Sequence, residues 1–261
     1  MRQLPVTEER IFMNKKMTKA FTNGKACIPF IICGDPTLNM TEQLVYAMEE
    51  AGADMIELGI PFSDPTVEGS VIQEANIRAL ENGTTTDKIF QMVERIREHS
   101  QIPLIFSTYA NVIFSYGVER FVSKAAQAEI SAILLTDVPF EEKEEFDSMC
   151  KKYGIDFISL VSPASNERIA QIAKTAQGFV YCIPTETTDL TALEQVIKKE
   201  KQIPCVVGCD DFDMEQIKIM VAQADGIIVQ SAIVKLCQTY GKKCVDYVKA
   251  YVKQMKQEMV K

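Results

Sequence analysis

Eight short runs of apolar and β-branched residues recur along the chain at fairly even intervals, and amphipathic stretches long enough for helices lie between them. The runs occupy residues 27–33 (CIPFIIC), 54–60 (DMIELGI), 102–108 (IPLIFST), 131–137 (SAILLTD), 156–162 (DFISLVS), 178–184 (GFVYCIP), 203–209 (IPCVVGC) and 225–231 (DGIIVQS). Most are apolar almost throughout, without the in–out alternation of a half-exposed strand, so they predict parallel strands buried on both faces. Helices are predicted at 40–51, 71–80, 87–98, 118–128, 141–153, 166–176, 190–199, 214–223, 232–240 and 244–259, with an extra one at 8–21 before the first strand. In the first of these after strand one, Leu44, Val45, Met48 and Ala51 share one side.

Eight β/α units with no linker or low-complexity segment predict an α/β chain closed into a single (β/α)8 TIM barrel, residues 1–261, with an extra N-terminal helix. The alternative, an open doubly wound sheet, would carry a glycine-rich dinucleotide loop after its first strand, and no GxGxxG stands there. In a closed barrel of this kind the chemistry lies at the C-terminal ends of the strands.

The net charge of −8 argues against a nucleic-acid partner, which would need a basic surface. Any anionic group on a substrate must be met locally, by backbone N–H groups or a helix N-terminus. The eight cysteines form no CxxC pair and mostly sit inside apolar runs, so they read as buried free thiols in a reducing, cytoplasmic setting. With His99 as the sole histidine, on a charged helix end, neither a zinc site nor a Ser–His triad is expected, and no metal is. The first residues carry charges throughout and lack the apolar core of a signal peptide. No stretch reaches the roughly 18 apolar residues of a membrane span.

The strongest local signal begins at Ile56. Glu57 lies inside an apolar strand, where Met55, Glu57 and Gly59 share one face and Ile56, Leu58 and Ile60 the other. The second set suits packing against helices, so Glu57 is expected to point into the barrel mouth. A carboxylate there ionises reluctantly, as a general acid near neutral pH must. A structural carboxylate satisfied by its neighbours fits the pattern equally well. Glu68 follows in a Pro- and Gly-bounded loop, where most acids are simply solvated, and Asp64 shapes the turn before it.

Glu57–Pro65 (ELGIPFSDP) resembles the signature of the tryptophan synthase alpha subunit. Further matches are PFIICGDP (29–36), YANVIFSYG (109–117), LLTDVPFEE (134–142) and GIIVQSAIVK (226–235), in order and at the expected barrel positions. The resemblance implies retro-aldol cleavage of indole-3-glycerol phosphate to indole and glyceraldehyde 3-phosphate. It makes Glu57 the catalytic acid/base and Glu68 the second carboxylate, which steadies the indole N–H. It places Tyr109 and Tyr181 in the indole pocket and Gly208 and Ser231 at the phosphate. It turns Asp64, Pro65 and Asp137 toward a beta-type subunit. No cofactor is implied on this chain; pyridoxal phosphate belongs to the partner.

The chain also departs from the family. Glu68 stands where the family has Asp, and a displacement of about 1 Å at such a position can cost ~10²-fold in rate. Asp210 and Gln230 replace glycines of the phosphate site, where backbone approaches the anion. The stretch after strand six lacks the family's arginine and Gly-Val-Thr-Gly lid and is shorter; Thr187 and Thr188 are the available substitutes. Three readings follow from the sequence: a lyase of tryptophan biosynthesis, weakened at these points; a non-catalytic alpha-like subunit that regulates a beta-type partner; or a barrel enzyme with a different, unphosphorylated substrate.

Overall fold

The computed structural model describes residues 15–22, 24–162, 164–185, 187–209 and 214–260. Nine parallel strand segments make one sheet: β1 (Ala26–Ile32), β2 (Ile56–Gly59), β3 (Leu104–Thr108), β4 (Ala132–Leu135), β5 (Asp156–Phe157), β6 (Ser159–Val161), β7 (Val180–Cys182), β8 (Cys205–Cys209) and β9 (Gly226–Val229). Their order is β5-β4-β3-β2-β1-β9-β8-β7-β6. The two outer segments are consecutive parts of one stretch, 156–161, broken at Ile158. β5 pairs with β4 and β6 pairs with β7, and the Ile158 N–H still donates to Ile133 O at 2.9 Å. That stretch therefore joins both ends of the sheet and closes it into a (β/α)8 barrel with eight strands' worth of wall.

Twelve α-helices are described: α1 (Lys15–Ala20), α2 (Leu38–Glu50), α3 (Ser70–Glu81), α4 (Thr86–Arg97), α5 (Ala110–Tyr116), α6 (Val118–Gln127), α7 (Glu144–Tyr153), α8 (Asn166–Thr175), α9 (Leu190–Glu200), α10 (Met214–Ala222), α11 (Ser231–Tyr240) and α12 (Cys244–Val260). Several begin at side-chain caps that satisfy an otherwise orphaned N–H. Thr37 Oγ1 accepts from Met40 N, Ser165 Oγ from Arg168 N and Asp189 Oδ1 from Ala192 N.

The strands divide their side chains between two cores. Ile31, Ile56, Leu58, Leu104, Phe106, Ile133, Val207 and Ile227 face outward and pack under the helices. Ala26, Ile28, Phe30, Met55, Ile105, Ala132, Ile158, Tyr181, Val206 and Ile228 fill the barrel. Met17 of α1 joins this inner group, and the Phe21 ring lies 6.1 Å from that of Phe179, so α1 stops the barrel at the N-terminal ends of the strands. All eight cysteines are buried and free of disulfides.

The extra N-terminal helix is present at Lys15–Ala20; residues 8–14 of the expectation lie outside the described residues. Three local expectations need correction. Residues 110–116 form a helix of their own, which turns into α6 at Gly117, a residue with φ +90°. The predicted start of α7 at 141 is a tighter 3₁₀ turn, Phe140–Glu142, set off by Pro139. The fifth strand is split as described above.

Candidate active site

β2 carries the central acid. Its register sets Glu57 beside Phe30 of β1 and Ile105 of β3, both inward-facing apolar residues. Glu57 is 0% exposed, and neither carboxylate oxygen has a hydrogen-bond partner of good geometry. Burial pushes its pKa from 4.5 up to about 8; the charge of Glu68 adds to the rise, while the Ser107 hydroxyl opposes it by stabilising the anion. The inward orientation expected from strand parity is what the structure shows.

One pleat above, Gly59 lies between Ile32 and Ser107. A methyl group there would come within 2.6 Å of Ile32 Cδ1 and 2.8 Å of Phe30 Cζ, so glycine is required for space. Over this layer sits a small cavity at the strand C-termini. Phe30, Ile32, Glu68, Ser107, Tyr109 and Asn76 contribute to its wall. Tyr109 is buried; its hydroxyl accepts from Val67 N at 3.4 Å and its ring centre lies 5.1 Å from that of Phe62. Burial, then the Glu68 charge, raises its pKa to about 12, so it stays a neutral phenol. Glu57, Glu68 and Tyr109 are thus brought together: an acid under the floor, a second acid in the overlying loop and an aromatic wall.

Asn76 was missed from the sequence. It lies on the buried side of α3 with Ile72, Ala75 and Ala79. Its Oδ1 accepts from Phe62 N at 2.8 Å and its Nδ2 donates to Ile72 O at 2.8 Å, which ties the loop after β2 to α3. The available signal was an amide in an otherwise apolar helical stripe. Ser107 was missed as well.

Tyr181 and Gly208 form a second group. Tyr181 is buried in the barrel, and a methyl group at Gly208 would meet its hydroxyl at 2.7 Å and its Cε2 at 3.0 Å. The glycine is therefore needed to admit the tyrosine ring, whatever else it does. Ser231 is buried as the first residue of α11. Gln230 before it has φ −112°, outside the left-handed region, and its carbonyl accepts from Ile233 N and Val234 N. The backbone at Gln230 therefore starts the helix without a left-handed conformation. Asp210 lies outside the described residues. The Thr188 hydroxyl accepts from Thr185 N at 2.8 Å, in the turn that leads to the Asp189 cap.

Asp64 and Asp137 are exposed at this end of the barrel. Asp137 Oδ1 accepts from Ala110 N at 2.9 Å and so holds the first turn of α5; the Asp64 carboxylate accepts from Ser63 Oγ, as a turn-shaping residue does. Pro65, next to Asp64, is buried. Among the described residues, no group of three His, Cys, Asp or Glu side chains is placed to hold a metal ion, and no helix is long and apolar enough to cross a membrane.

A family model described as tryptophan synthase alpha chain matches residues 16–260. The chain is 43% identical over 232 residues to the tryptophan synthase alpha chain of Halalkalibacterium halodurans, covering 84% of this chain and 87% of that one. It is 37% identical over 250 residues to that of Lacticaseibacillus casei, covering 92% and 94%. The crystal structure of the alpha chain from Legionella pneumophila superposes with a TM-score of 0.86 at 32% identity, over 95% of this chain and 97% of that one. A chain of the Pyrococcus furiosus tryptophan synthase complex gives 0.83 at 32% identity, over 89% and 98%. An inward acid on the second strand, an aromatic wall on the third and similarity along nearly the whole length lead to one conclusion: the chain belongs to the tryptophan synthase alpha chain family.

Proposed function

We propose that this chain cleaves indole-3-glycerol phosphate to indole and glyceraldehyde 3-phosphate by a retro-aldol reaction, as the lyase of tryptophan biosynthesis. One observation carries the reading: the Glu57 carboxyl is held wholly buried beneath the cavity, beside inward-facing apolar side chains of the barrel, with its pKa near 8. At pH 7 such a group is protonated in a ratio of roughly ten to one. It can therefore begin the reaction as an acid, by protonating the ring carbon that bears the glycerol chain.

The proton bookkeeping closes on this one residue. Protonation leaves a cationic ring, and Glu57 as carboxylate. The glycerol hydroxyl then gives its proton back toward that carboxylate while the carbon–carbon bond breaks. Indole and an aldehyde leave, and Glu57 is again protonated. These transfers balance without a cofactor on this chain. Glu68, close enough for its charge to be felt by both Glu57 and Tyr109, is suited to accept a hydrogen bond from the ring N–H as positive charge develops. Tyr109 and Tyr181 supply flat apolar surface for the ring, and the start of α11 at Ser231 offers backbone N–H groups for the phosphate.

A beta-type subunit is the expected receiver of the indole. A Pyrococcus furiosus relative is described as part of an a2b2 complex, and Asp64 and Asp137 lie exposed at the barrel end where product must leave. The test is a coupled assay of indole-3-glycerol phosphate cleavage with and without a beta subunit. Turnover that rises when the partner is added is expected. No turnover in either condition at pH 7 would sink the assignment.

A further inference from the structure

Glu57 is the group that must exchange a proton with substrate, yet it does not reach the cavity surface: it is 0% exposed and lies beneath the residues that line the space. Something must connect the two. Ser107 does line the cavity, and it belongs to the inward face of β3, the strand next to β2. It stands opposite Gly59, one pleat toward the C-terminal end from Glu57. Of the other hydroxyls on this wall, Thr108 Oγ1 donates to Ile60 O at 3.2 Å, Tyr109 Oη accepts from Val67 N, and Thr136 follows β4, one strand further from Glu57.

We propose that Ser107 is a further catalytic residue of this site, its hydroxyl carrying the proton between the buried Glu57 carboxyl and the substrate. This rests on the lyase reading above. In the forward step Ser107 Oγ–H gives its proton to the ring carbon and takes the proton of the Glu57 carboxyl in the same motion. In the return step the glycerol hydroxyl gives its proton to Ser107, whose own proton passes to the Glu57 carboxylate. Ser107 ends each step unchanged, and no charge is left on it. A serine hydroxyl suits the task because it donates once and accepts twice. The stabilising influence of Ser107 on the Glu57 anion points the same way.

The test compares the native chain with Ser107→Ala, which removes one oxygen, and Ser107→Thr, which keeps a hydroxyl. In the protein without substrate, the Glu57 carboxyl is titrated by difference infrared spectroscopy, with Glu57→Gln used to assign the band. Loss of a donor to the anion should move the midpoint up by about one pH unit in Ser107→Ala and leave it in place in Ser107→Thr. In the lyase assay, Ser107→Ala should lose about 10²-fold in kcat with KM little changed, and Ser107→Thr should recover most of it. The dependence of the rate on deuterium content should be curved for the native chain, in which two protons move together, and straight for Ser107→Ala. An unmoved midpoint, native-like kcat in Ser107→Ala, or a straight dependence in the native chain would each overturn the relay. An inactive native chain would instead sink the lyase reading, which the other results leave standing.

Discussion

At the scale of single residues, Glu57 is placed against the interest of the fold. It ionises at about 8 in the folded chain against an ordinary 4.5, so between these values the folded state holds a proton that the unfolded chain releases. Below pH 4.5 both states are protonated and nothing is lost. Above it, stability falls by about 1.36 kcal/mol per pH unit, and the loss levels off past pH 8 at about 5 kcal/mol. Glu57→Gln keeps the shape and removes the charge. The variant should be inactive as a lyase, about as stable as the native chain at pH 4.5, and several kcal/mol more stable at pH 8. Urea denaturation at both pH values checks this; an equal difference at the two would show that ionisation is not the cause. The position of Glu57 was legible in the sequence because strand parity alone separates Glu57 from Leu58. Ser107 was not, since a serine near the end of an apolar strand looks the same whether it faces a carboxylate, a helix or water.

At the scale of elements, α3 organises the catalytic end. Asn76 holds the Phe62 backbone in the loop after β2, and Arg78, two residues on, grips the loop after β1. Arg78 Nε and Nη2 donate to the two Asp35 oxygens at 2.9 and 2.8 Å, and the Asp35 side chain is only 2% exposed. Gly34 beside it has φ +94° and lies against Thr84, so that loop has little freedom of its own. Removing one partner of such a pair strands the other charge. Arg78→Ala should therefore cost about 3–5 kcal/mol by chemical denaturation, whereas Arg95→Ala, which breaks a more exposed pair with Glu42, should cost less than about 1 kcal/mol. Equal losses would show that the Asp35 pair is no better than a surface one. The GDP motif revealed a special turn, but its arginine lies 43 residues away, and nothing in either local pattern links them. The missed helix at Ala110–Tyr116 has a similar origin: its N-terminal N–H is held by Asp137, from the loop after the next strand.

For the whole molecule, the eightfold pattern was enough to specify closure, because parallel strands buried on both faces leave few other arrangements. It could not show how the barrel is made one-ended. That work falls to α1, whose Met17 is fully buried among Ala26, Ile28, Met55 and Phe179, with its Cε 3.0 Å from where a side chain at Gly178 would begin. The stopper packs at the closed end with Met55, which lies one inward position below Glu57 on the second strand. Stability and chemistry are nevertheless separable here. Met17 lies at the strand N-termini and the cavity at the C-termini, with filled layers between them. Met17→Ala should lower stability by about 2–5 kcal/mol, the usual cost of emptying a core position. At temperatures where the variant is fully folded, its kcat and the pH at which activity falls off should match the native values. A downward move of that pH limb, with the fold intact, would mean that water admitted at the closed end reaches the carboxyl, and that the two ends of the barrel are coupled through its interior.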